Sequence, residues 1–200
     1  MRTSSDERIS YDVFALADIQ SERYKVLADR VKLGLSEFEC YRSTHLEKFA
    51  RKSVQRYEKH GHSRTYVMIT PVDNDIDIAA FFTVGMTALD LSQASKSARK
   101  TLMGDISLDQ TGAFSIAELA RSDSYTSAQL PGSLILDEAK EVIKRARGYV
   151  GGRFVVVDAR NEVYEALYAP AGFKQVSVAT SPRGMEGTDF VTACCVINDW

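Results

Sequence analysis

The chain lacks any long apolar run. Nothing in its 200 residues reaches the roughly 18 consecutive apolar positions that a membrane-spanning helix needs, and residues 1–30 are charged and polar. Neither a transmembrane helix nor a secretory signal is expected, and the expected location is the cytoplasm. Cysteine is scarce. Its three residues, Cys40, Cys194 and Cys195, form no CxxC and no metal spacing, which points to reduced thiols and to no metal site. Histidine is equally rare, at His45, His60 and His62. Cys40 and His45 lie five apart without a visible third orienting group, so a cysteine nucleophile is not expected. Cys194 and Cys195 read as small buried hydrophobes in a strand-like run. Charge of one sign is missing too: 25 Lys and Arg stand against 27 Asp and Glu, for a net charge of −2. The pI near 6.0 offers no global attraction to phosphate backbones, so nucleic-acid binding would require a local basic patch.

What is present suits one globular domain. The length and the 44% hydrophobic content are enough for a sizeable core. Residues 1–23 read as a polar N-terminal extension and residues 24–200 as a single domain. Residues 24–31 fit either a first strand or part of a helix. From Thr44, a plausible N-cap, Leu46, Phe49, Ala50 and Val54 follow helical spacing. Lys48, Arg51, Lys52 and Arg56 fall mainly on the other side, as a solvated face or a phosphate contact. Gly61 ends that helix. TYVMIT (residues 65–70) and a run over 78–91 then read as a hairpin around an Asp/Asn-rich turn at 71–77. Residues 92–110 read as a surface excursion with a short helix, basic at Lys96, Arg99 and Lys100.

AFSIAELAR (residues 113–121) reads as a fourth strand, with Phe114, Ile116, Glu118 and Ala120 on one face. A polar stretch follows, and Pro131 is suited to a first helical turn. Ile135, Ala139, Val142, Ile143 and Ala146 make one apolar helical stripe, which Gly148, Gly151 and Gly152 are expected to end. Phe154 to Val157 then form a doubly buried strand. Strand, polar loop, helix and strand make a βαβ unit. Its parallel pairing sets a helix N-terminus, with free N–H groups, at a strand's carboxyl end. Residues 158–160 are expected to turn the chain, Asn161 to cap a short helix over 162–168, and Pro170 and Gly172 to end it. On it Tyr164 and Tyr168 sit at i and i+4, either as two core aromatics or as a functional pair. Residues 174–180 and 190–197 read as closing antiparallel strands.

This order resembles the GNAT superfamily of acyl-CoA-dependent N-acetyltransferases. The most specific match is NEVYEALYAPAGF (Asn161 to Phe173), which keeps the family's Asn, Leu-Tyr and Gly-Phe at their usual spacing, with Tyr164 in place of a small residue. FECYRSTHLEKFARKSVQRYEKHGHSRTYVMI (residues 38–69) is also similar to the corresponding part of members related to tRNA-acetylating toxins. The resemblance covers roughly residues 38–197. It implies an α/β (α+β) fold, a mixed sheet with a central βαβ acyl-CoA-binding unit and flanking helices. It also implies direct transfer of an acetyl group from acetyl-CoA, with no metal, to a primary amine of an unidentified acceptor.

By the same resemblance, backbone groups of Leu119, Ala120 and Arg121 would bind pantetheine, and Asn161 would contact its arm. The loop YTSAQLPGS (Tyr125, Ser127, Gln129, Leu130, Gly132 and Ser133 among its residues) would hold the pyrophosphate. Tyr168 would be the general acid for the thiolate; Glu118, the acidic residue within the fourth strand, reads from the sequence itself as a base acting through water or as a carboxylate at the sheet surface. The family's phosphate loop is normally rich in glycine. Here only Gly132 remains, Leu130 takes the place of the first glycine, and Ser127 stands where Arg or Gln is usual. Two alternatives stay open: a non-catalytic GNAT-fold binding or regulatory protein, prompted by that loop, and toxin-like acetylation of aminoacyl-tRNA, prompted by residues 38–69. The acidic pI counts against the second, the only reading that brings in nucleic acid. No membrane partner is expected, and a homodimer is left open. The acceptor pocket would come from residues 35–62 and 181–189.

Overall fold

A computed structural model of the chain describes residues 7–20, 24–73, 75–106, 108–177 and 189–197. Its strands are β1 (Asp12–Ala15), β2 (Ser63–Val72), β3 (Asp75–Asp90), β4 (Gln110–Arg121), β5 (Phe154–Arg160), β6 (Lys174–Gln175) and β7 (Phe190–Val196). They form one seven-stranded sheet in the order β1-β2-β3-β4-β5-β7-β6. Its helices are α1 (Leu16–Ile19), α2 (Lys25–Glu37), α3 (Thr44–Lys48), α4 (Val54–Lys59), α5 (Lys96–Met103), α6 (Gly132–Val150) and α7 (Asn161–Val163). The sheet is mixed, as the sequence suggests. Pairing is antiparallel for β1–β2, parallel for β4–β5, and antiparallel for β5–β7 and β6–β7. Among the described residues no helix is long and apolar enough to cross a membrane. The chain divides into two units, Met1–Val84 with Glu118–Val142, and Gly85–Ala117 with Ile143–Trp200.

In the first unit, Tyr24 to Val31 resolves as helix, because Leu27, Val31 and Leu35 repeat at i, i+4 and i+8 and pack into one core. Burying Val31 and Leu35 contributes on the order of 2 kcal/mol each. The helix lies close on β3: a Cβ on Gly34 would stand 2.7 Å from Ile78 Cγ1, so no larger residue fits without a shift. Residues 12–19, inside the expected extension, are β1 and α1. Asp12 to Ala15 pair with Ile69 to Tyr66, and Leu16 and Ile19 are buried.

The helix expected from Thr44 is capped one residue earlier, by Ser43, whose Oγ accepts the Leu46 N–H. A π-helical turn, Phe49–Ser53, interrupts it. That wider turn brings Phe49 and Val54, five residues apart, into the same core. Phe81 stacks on Phe49 and meets Phe38 edge-on. The β2–β3 connection is tighter than expected, since only residues 73 and 74 separate the strands and Asp73 takes a positive φ of 51°.

In the second unit, Phe114 and Ser115 of β4 pair in parallel with Val155 and Val156 of β5. Residues 158–160 do not turn the chain. They extend β5 and pair with Phe190 to Thr192 of β7. Phe154, Val156 and Cys194 join Leu89, Leu91, Leu102, Met103 and Ala113 in a second core. Helix α6 passes through Gly148 and ends before Gly151 and Gly152, both at positive φ. Gly152 is required there twice over, by its φ of 111° and by Phe114, 2.7 Å from where a Cβ would be. Strand β6 covers only the first two residues of the expected 174–180 strand, and residues 178–180 lie outside the described residues.

Candidate active site

The first unit carries Glu118, Leu119, Ala120 and Arg121 on β4 and the loop from Tyr125 to Ser133. Glu118 sits in the strand's half-buried stretch, where its N–H donates to Thr83 Oγ1 at 3.0 Å. Its side chain is 12% exposed, and its carboxylate Oε1 lies 2.8 Å from Nε2 of His45, whose side chain is 70% exposed. Burial pushes the Glu118 carboxyl above the ordinary carboxylate range, and the bond to His45 and its charge act in the opposite direction. From the sequence, His45 is weighed only beside Cys40, as a pair that is not expected. In the structure Cys40 is buried and uncombined, and its N–H donates to Glu47. Seventy-three positions separate His45 from Glu118, and no local spacing announces the pair.

Ala120 is buried, while Leu119 and Arg121 are half-buried. The Arg121 guanidinium donates to the Leu130 carbonyl at 3.0 Å and so ties the end of β4 to the loop. Leu130 itself is fully buried, which explains a leucine where a glycine was expected: it is a core residue. Tyr125 donates its phenol to Asp77 Oδ2 at 2.8 Å, and burial followed by that carboxylate holds its pKa well above the usual value. The loop is closed by its own bonds. Gln129 Oε1 accepts the Thr126 N–H, Thr126 Oγ1 accepts the Gln129 N–H, and the Thr126 carbonyl accepts from Leu130 N–H. Ser127 and Ala128 are exposed. Gly132 and Ser133 open α6, in the first turn whose amides a helix leaves without internal partners.

The second unit carries Asn161 and Tyr168. Asn161 is the first residue of α7 rather than its cap. Its N–H donates to the Asp189 carbonyl, and its amide donates to Glu165 Oε1 at 3.3 Å. A second π-helical turn, Tyr164–Tyr168, follows α7, closed by Ala169 N–H donating to the Tyr164 carbonyl. The two tyrosines differ. Tyr164 is half-buried and donates its phenol to the Phe173 carbonyl at 3.2 Å, a structural bond across the turn. Tyr168 is buried and meets the Phe173 ring edge-on at 5.4 Å. Residues 181–188, expected to shape the acceptor pocket, lie outside the described residues.

The mixed sheet, the βαβ unit and the strand-to-π-turn at β5 define a GNAT-like fold, shared along nearly the whole chain with solved structures of bacterial toxins. A tyrosine-to-phenylalanine mutant of KacT matches at a TM-score of 0.69 and 16% identity, over 94% of this chain and 96% of that one. AtaT complexed with acetyl-methionyl-tRNAfMet matches at 0.68 and 19% identity, over 95% and 96%. A tyrosine-to-phenylalanine mutant of the AtaT toxin, bound to acetyl-CoA and the C-terminus of the antitoxin AtaR, matches at 0.65 and 16% identity, over 94% of each chain. No protein-family model matches the chain, and no curated protein does either.

Proposed function

We propose that the chain is an acetyl-CoA-dependent N-acetyltransferase of the toxin type, whose acceptor is the α-amino group of an aminoacyl-tRNA. The likeness to AtaT complexed with acetyl-methionyl-tRNAfMet, over 95% of this chain, carries the reading. A local feature supports it against the acidic pI. Residues 41–64 hold seven Lys and Arg against two Glu, a surplus of five positive charges in a chain whose net charge is −2. Arg42, Lys48, Lys52, Arg56 and Lys59 are exposed there, beside Tyr41 at 76% exposure. A basic strip with an exposed aromatic suits phosphates and unstacked bases.

The residues fit an acyl-CoA. Small exposed side chains at Ser127 and Ala128 permit close approach, and the Gly132 and Ser133 amides offer donors to phosphate at the start of the 19-residue α6. Backbone of Leu119 to Arg121 and the Asn161 side chain would hold the pantetheine arm. Bound there, acetyl-CoA supplies an activated acyl group. Tyr168 would give its phenolic proton to the departing sulfur; a phenol with an ordinary pKa of about 10 remains protonated at neutral pH yet can protonate a thiolate. Isothermal titration with acetyl-CoA, paired with a turnover assay on charged tRNA, tests the assignment. Tyr168→Phe should bind acetyl-CoA within about threefold of wild type and turn over about 10²-fold or more slower. No heat of binding at millimolar acetyl-CoA would overturn the reading, and binding without transfer to any amine would leave only a non-catalytic GNAT-fold binder.

A further inference from the structure

We propose that His45 and Glu118 form a dyad that takes the proton from the acceptor ammonium, with His45 as the base and Glu118 as the residue that positions it. The inference rests on the acetyltransferase reading above and assigns the proton acceptor that reading leaves open. The pair is asymmetric: an almost buried carboxylate bonds Nε2 of a largely exposed imidazole at 2.8 Å. An ionised carboxylate only accepts, so Nε2 carries the hydrogen and the lone pair remains on Nδ1. The nitrogen that does not face Glu118 is thus the basic one.

A buried glutamate elsewhere in the same unit shows what a structural carboxylate looks like. Glu58, 3% exposed, is matched by the fixed charge of Arg64 at 2.6 Å and by the Thr65 N–H at 2.7 Å. Glu118 instead faces an imidazole, which can take up and release a proton during a reaction as a guanidinium cannot. On its own helix Glu47 is engaged by Arg51 at 3.0 Å and by the Cys40 N–H, and Lys48 is exposed. Arg42 precedes the helix, the neutral Phe49 ring lies 6.4 Å away, and β4 contributes Glu118. Glu118 also immediately precedes Leu119, the first of the three residues assigned to the pantetheine arm.

The proton count closes. The ammonium N–H bond breaks, Nδ1–H forms, and Glu118 holds the resulting imidazolium. The freed nitrogen lone pair bonds the acyl carbon as the carbon–sulfur bond breaks. The amine's second proton replaces the one that Tyr168 gives to the sulfur, and His45 releases its own proton to solvent. One proton is released for each acetyl transferred.

His45→Gln is the informative variant, because an exposed side chain can be changed without disturbing the core. With charged tRNA as acceptor, it should lower kcat about 10²-fold while leaving acetyl-CoA affinity by calorimetry unchanged. Its rate should rise with pH toward the acceptor amine's own titration, and added imidazole should restore part of it. Nitrogen-15 NMR of the wild type at pH 8 should show the Nε2–H tautomer of His45, and Glu118→Ala should lose that preference. A His45→Gln enzyme within threefold of wild type with an unchanged pH profile, or an Nδ1–H tautomer in the wild type, would overturn the dyad. Failure of the acetyltransferase reading looks different, since the wild type itself would then transfer nothing.

Discussion

Putting a glycine at position 130 looks, from the sequence, like the repair of a phosphate loop, and the structure predicts damage instead. The Leu130 side chain is fully buried, and its carbonyl accepts the Arg121 guanidinium at 3.0 Å. Burying a leucine contributes about 2 kcal/mol by transfer alone, and truncation to alanine costs about 2–5 kcal/mol once the remaining cavity is counted. Leu130→Ala is therefore expected to lose about 3 kcal/mol, and Leu130→Gly about 4, because glycine adds roughly 0.5–1 kcal/mol of chain entropy. At this chain length each kcal/mol moves Tm by about 2–4 °C, so Leu130→Ala should melt roughly 6–12 °C lower. Acetyl-CoA affinity, measured by calorimetry well below that transition, should stay level or weaken, because the amides that would face phosphate are held in place by this packing. A Leu130→Gly protein with wild-type Tm and tighter acetyl-CoA binding would refute the reasoning and place Leu130 in ligand space.

Other expectations follow from particular contacts. Gly34→Ala would gain the usual helix propensity but drive its Cβ to 2.7 Å from Ile78, and the overpacking should leave it about 1–2 kcal/mol less stable in urea titration. Asp158 accepts the Thr192 hydroxyl at 2.5 Å, yet burial raises its carboxyl above the ordinary aspartate value. The folded form therefore holds that proton more tightly than the unfolded chain. Its contribution is fully present below the unfolded aspartate value and is lost as pH rises through the raised one. Relative to Asp158→Asn, the wild type should lose stability as pH rises from the ordinary aspartate value through the raised one, and a difference that stays constant over that rise would contradict the assignment. Reversing Lys48 and Lys52 to Glu should weaken tRNA binding at low salt and flatten the slope of log affinity against log salt by about one unit per lost phosphate contact. An unchanged slope would remove the basic strip from the interface.

The parts of the fold legible in sequence are those whose burial leaves a local period. The run from Phe154 to Val157 is buried throughout β5, and the stripe of Ile135, Ala139, Val142 and Ile143 is buried along α6. Strand β1 carries no such mark. Four residues, exposed at Asp12 and half-buried after it, are a strand because β2 pairs with them. The π-helical turns at Phe49–Ser53 and Tyr164–Tyr168 were equally unreadable, since one extra residue in a turn leaves the polarity pattern almost unchanged. At the candidate site, the sequence pointed to Tyr168 and Glu118 as residues but not to their surroundings. Leu130 looked like a defective loop residue because its burial depends on chain distant from the loop. His45 was left without a role, because its partner in the fold lies 73 positions away.

The most direct test is to supply the purified protein with acetyl-CoA and a pool of aminoacylated tRNA, digest the RNA, and measure the terminal adenosine fragments by mass spectrometry. The wild type is expected to produce N-acetyl-aminoacyl-adenosine, and Tyr168→Phe to produce it about 10²-fold more slowly at equal acetyl-CoA occupancy. Acetyl-CoA binding with no acetylated fragment from any aminoacyl-tRNA, or Tyr168→Phe acting at the wild-type rate, would contradict the account.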